Sequence, residues 1–106
     1  MGRNSGGVLS STKKGATSYQ KTTDALYAAI EGKSKAGVVK AKATLSPLIS
    51  KMSDAVVKER AESTSSAAYF SHKSNTPKSE YSATAYNYNK TMSQLYNKEA
   101  RRRKLI

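Results

Sequence analysis

Two stripes of apolar residues, each repeating at alternating steps of three and four, decide what this chain can fold into. Val38, Ala41, Leu45, Leu48, Met52 and Ala55 form the first, flanked by Val39, Ile49 and Val56. Tyr81, Ala85, Tyr88, Met92, Leu95 and Glu99 form the second. Such steps keep returning to one side of a helix with 3.6 residues per turn, whereas a strand repeats every second residue. One strand signal competes: Tyr86-Asn87-Tyr88-Asn89 alternates and carries residues that favour sheet. The helical stripe through it is longer, so helix is preferred.

Helix boundaries follow from caps and breakers. Tyr19, Thr22, Thr23, Leu26, Tyr27 and Ile30 define a short helix over 18–31, with Ser18 as its cap and Gly32 as its stop. Ser46-Pro47 interrupts the first stripe, because proline disfavours a helical residue before it and has no N–H to donate. The expectation is a helix over 34–45, a break at Ser46 and a second helix over 47–66. Leu45, Leu48, Ile49 and Met52 are expected to be the most buried group. Asp54 and Lys58 stand at the i,i+4 spacing that favours an ion pair. Residues 71–79 read as a loop, with Asn75, Thr76 and Pro77 supplying turn chemistry. The last helix spans 80–104.

Residues 1–17 read as a flexible, extended basic arm, because Gly2, Gly6, Gly7 and Gly15 make ordering costly. Its one apolar pair, Val8-Leu9, fits a partner's groove, and Arg3, Lys13 and Lys14 fit an acidic surface. The fold class is therefore mostly α. Three or four amphipathic helices form a single small domain over 18–106, behind the arm, with little or no sheet.

The apolar inventory is thin. Leu, Ile, Val and Phe number 15 of 106 residues, while the formal net charge is +12. That combination lies toward chains that do not bury enough surface to fold unaided. The protein is therefore expected to become fully ordered with a partner. No segment holds the roughly 18–20 apolar residues that cross a bilayer. Met1 to Ser11 lacks the apolar run of a signal peptide, which points to an intracellular setting. Gly6 stands where a myristoylation motif needs Ser or Thr.

Catalytic and metal chemistry find little footing. With no Cys and one His, thiolate nucleophiles and multi-ligand metal sites are not expected. His72 reads as a loop histidine without the companions of a triad. Gly32-Lys33-Ser34 copies the end of a phosphate-binding loop, but Tyr27 stands where that pattern needs its first Gly. It reads instead as a helix stop followed by a cap. Asn89-Lys90-Thr91 is a glycosylation sequon without a secretion signal beside it. Most carboxylates fall on polar helix faces or at helix starts, away from any paired acid–base arrangement. The chain is expected to be no enzyme and to take no cofactor, metal or small-molecule substrate.

What remains is positive charge and tyrosine. The net charge is +2 over residues 1–32, +4 over 33–72 and +6 over 73–106. Lys98, Arg101, Arg102, Arg103 and Lys104 concentrate it at the end of the last helix. Four consecutive residues cover most of a helix's circumference, so they do not line one internal face. Glu99 is placed to pair with Arg103, which leaves at least two guanidinium groups without a local acid. Arginine grips phosphate or carboxylate with two hydrogen bonds at once. Tyr81, Tyr86, Tyr88 and Tyr96 lie among Lys and Asn and read as partner-interface residues, since Tyr gives contact area and a hydroxyl at low entropic cost.

The leading expectation is a non-enzymatic structural or assembly protein. It joins other protein subunits of a larger complex, a virion-type or other nucleic-acid-containing particle, through basic and Tyr-rich surfaces. A non-sequence-specific DNA- or RNA-binding protein is the alternative. A peripheral membrane protein is third, because the apolar stripes are rich in Ala and the polar faces in Ser and Thr. Salt separates the first two, since phosphate binding weakens steeply as salt rises.

Overall fold

The computed structural model describes residues 17–106, and 79% of them are helical. Four α-helices follow one another: α1 Ser18–Glu31, α2 Lys35–Ser50, α3 Asp54–Ser71 and α4 Ala83–Arg102, with a single 3-10 turn at Lys78–Glu80. No strand occurs among the described residues, so Tyr86 to Asn89 are helical. No helix among them is long and apolar enough to cross a membrane. The arm's Val8, Leu9, Lys13 and Lys14 lie outside the described residues.

Two compact units divide between Leu45 and Ser46, inside α2. In the first, α1 begins with a reciprocal cap. The Thr17 hydroxyl accepts from the Gln20 N–H at 3.1 Å, and the Gln20 side chain accepts from the Thr17 N–H at 2.9 Å. Thr17, not Ser18, is thus the cap. At the other end the Ser34 N–H bonds the Ala29 carbonyl and the Lys33 N–H the Ile30 carbonyl. These are the two bonds of a Schellman motif. Lys33 rather than Gly32 takes its left-handed conformation, at φ 58°. The Ser34 hydroxyl then accepts from the Gly37 N–H and starts α2, as the stop-then-cap reading expects. Gly37 allows close approach, because a Cβ there would sit 2.9 Å from the Ala29 Cβ.

The expected break at Ser46 is absent. α2 continues through Pro47 to Ser50, and the interruption falls at residues 51–53. Proline there removes one N–H from the last turn only. Burial favours continuing, since Ala41, Leu45 and Ile49 line one buried stripe of α2. The helix stops where new partners take over its ends. Ser53 caps α3 by accepting from the Val56 N–H at 3.2 Å. The Arg103 guanidinium donates to the Ser50 carbonyl at 2.9 Å and the Ile49 carbonyl at 3.4 Å. The helices expected over 34–45 and 47–66 are therefore 35–50 and 54–71.

In the second unit α3 and α4 form an antiparallel pair. Bonded partners descend α4 as they ascend α3: Asp54 with Arg103, Arg60 with Tyr96, Ser65 with Ser93, Ser71 with Asn89. Val57 and Ala61 from α3 are buried, as are Met92, Leu95, Tyr96 and Ala100 from α4. The loop after α3 folds back onto that helix's last carbonyls. Asn75 Nδ2 donates to the Tyr69 carbonyl and Thr76 Oγ1 to that of Phe70, which satisfies groups a helix end leaves open. Ser82 caps α4 through the Ala85 N–H.

Candidate functional site

Four charged side chains, Glu99, Arg102, Arg103 and Asp54, meet at the end of α4. Glu99 receives Arg102 Nε at 2.9 Å and Arg103 Nε at 2.6 Å, with a further bond from Arg102 Nη2. Arg103 also reaches Asp54 at 2.9 Å. Asp54 thus pairs across the helix pair with Arg103, and Lys58 makes no ion pair among the described residues. The Arg103 side chain retains 13% of its accessible surface and spends all three of its nitrogens inside the chain. The expected Glu99–Arg103 pair is present. The expectation that two guanidinium groups lack a local acid is corrected, because Glu99 takes Arg102 as well. Of the three, Arg101 makes no ion pair among the described residues.

Electrostatics follow the geometry. Hydrogen bonds from Arg102 and then Arg103 lower the Glu99 carboxyl from 4.5 to about 2, against a smaller opposing effect of burial. The Glu99 hydrogen bond raises both guanidinium groups further above their usual range. A depressed acid stabilises the fold above its unfolded pKa and ceases to do so as pH falls through its folded pKa. The Glu99 contribution is therefore complete above about pH 4.5 and lost on descending to about 2. In acid titrations followed by circular dichroism, Glu99→Gln should remove part of the stability loss across that window. A variant with an unchanged acid profile would contradict this assignment.

The other predicted cations stay outward. Lys98, Arg101 and Lys104 are exposed and make no ion pair among the described residues. Lys104 adopts φ 61° in a second Schellman motif, with the Leu105 N–H on the Ala100 carbonyl and the Lys104 N–H on the Arg101 carbonyl.

The predicted tyrosines fall into different environments. Tyr96 is fully buried, which corrects its reading as an interface residue. Its hydroxyl accepts from Arg60 Nη1 at 3.0 Å and lies 3.7 Å from Met52 Sδ. The Arg60 guanidinium also stands 6.0 Å from the ring centroid. Tyr81, Tyr86 and Tyr88 are half-buried. Tyr86 meets the His72 ring edge-on at 5.1 Å.

A more open feature lies at the loop end of the helix pair. Ser65, Ala68, Tyr69, His72, Asn75 and Tyr86 line a groove of about 420 Å³. Tyr69 and its neighbour Phe70 are 60% and 66% exposed, with their rings perpendicular at 5.1 Å. The sequence boundary at 66 leaves this pair outside the helix. Extending it exposes the signal. Val57, Ala61, Thr64 and Ala68 hold one face, so residues 69 and 70 turn away from it by about 100° and 200°.

No known protein family, curated protein or solved structure matches the chain.

Proposed function

We propose that this chain is a non-enzymatic assembly protein that attaches to a larger, negatively charged complex, a virion-type or other nucleic-acid-containing particle. One observation carries this reading: exposed cations that the fold does not neutralise. Lys51, Lys58, Lys73, Lys78, Lys90, Lys98, Arg101 and Lys104 make no ion pair among the described residues. Their mutual repulsion opposes compaction, and an external polyanion relieves it. The exposed Tyr69–Phe70 pair adds apolar area that an assembly would cover. An intracellular or within-virion setting goes with this reading.

Sedimentation of gently lysed source material tests it. The protein should travel with a large particle at low salt, far ahead of an 11.5 kDa chain. Lys98→Gln/Arg101→Gln/Lys104→Gln removes three exposed charges and leaves the Glu99–Arg103 bonds intact. This variant should leave the particle at lower salt than the parent, because exposed charges act over only about 10 Å at 0.1 M salt. A chain that sediments alone at low salt would defeat the proposal.

A further inference from the structure

We propose that the groove at the loop end of α3 and α4 binds single-stranded nucleic acid, with unpaired bases stacking on Tyr69 and Phe70. This rests on the function proposed above and names the anionic component that the surface contacts. Two neighbouring aromatic side chains, Tyr69 and Phe70, stand largely in solvent. Their perpendicular rings open in different directions, so successive bases can be held without being coplanar. Aromatic faces among cations form the usual platform for single strands, since every base offers a π-face.

The groove's chemistry favours bases over a peptide. Ala68 is its one aliphatic lining residue, so it has no branched wall to take a Leu or Ile side chain. It offers rings, hydroxyls and directional polar groups instead. The Ser74 N–H donates to His72 Nδ1 at 3.1 Å, which leaves the ring's proton on Nε2 as a donor. Asn75 commits its amide nitrogen to the Tyr69 carbonyl and keeps its oxygen as an acceptor. Charge is complementary to phosphate. Lys73 follows His72, Lys90 stands one turn beyond Tyr86, and Lys78 lies in the connecting loop. All three are exposed and make no ion pair among the described residues, while Glu80 is the loop's one acid. A second copy of this chain is a poor occupant, because each copy carries +12.

Fluorescence anisotropy of the full chain with a labelled oligothymidylate of roughly 12 nucleotides tests the proposal. Tyr69→Ala/Phe70→Ala should weaken binding by roughly tenfold to a hundredfold with an unchanged salt slope and unchanged helicity. Phe70→Leu should weaken it while Phe70→Tyr restores it, which separates a ring face from mere apolar area. Lys73→Gln/Lys78→Gln/Lys90→Gln should lower the salt slope by about 2, at about 0.7 per phosphate on single strands. A duplex of the same length should bind less tightly than the single strand. Aromatic variants that bind as the parent does would overturn the site. So would a parent chain that ignores the oligonucleotide, or one that captures a poly-glutamate peptide through Tyr69 and Phe70 instead. These outcomes leave particle sedimentation intact, so failure here is distinct from failure of the assembly function.

Discussion

Tyr96→Ala should lower the stability of the purified chain by about 3–5 kcal/mol, the largest loss expected of any single truncation here. The ring is wholly buried, so its removal leaves a cavity. Its removal also takes away the hydroxyl that accepts from Arg60 Nη1 at 3.0 Å. Tyr96→Phe separates the two contributions, since it keeps the ring and should cost about 1 kcal/mol. Urea melts followed by circular dichroism read both. If Ala and Phe variants melt alike, the ring is not packed as described. A domain of this size holds only about 5–15 kcal/mol in all, so the Ala variant should lie close to unfolding.

The second large effect decides the phase of α2. Ile49→Ala should cost about 2–5 kcal/mol, whereas Leu48→Ala, one residue earlier and half-buried, should cost clearly less. The pair is informative because sequence spacing puts Leu48 on the stripe and Ile49 at its edge. A Leu48 effect equal to or larger than that of Ile49 would restore the sequence phase and refute the packing described for α2.

What could be read from the sequence divides along local and distant causes. Helix type and number follow from spacing within single segments, and Ser34 as a cap follows from the stop before it. Met92 and Leu95 were correctly placed in the buried stripe by that spacing. Local rules went astray where a distant residue intervenes. Pro47 signals an interruption, yet Arg103, more than fifty positions on, closes the carbonyls of Ile49 and Ser50 and moves the stop downstream. Asp54 is four residues from Lys58 but pairs with Arg103 across the helix pair. Tyr96 reads as a partner-interface residue from the sequence, because spacing alone does not reveal Arg60 as the partner of its hydroxyl. The terminal arginines read as a cluster, but the pairing of two of them depends on Glu99 serving both Arg102 and Arg103.

The two left-handed lysines have a consequence for how this chain can be improved or impaired. Glycine occupies such a position freely, while a residue with a Cβ gives up about 1 kcal/mol there. At both Lys33 and Lys104 a positive charge stands where glycine would be conformationally easier. Stability and charge are thus set in opposition at two helix ends. A sequence optimised only for thermal resistance would replace both lysines and end with a sturdier protein of net charge +10 instead of +12. Selection for robustness alone would erase part of the surface through which this chain is proposed to work.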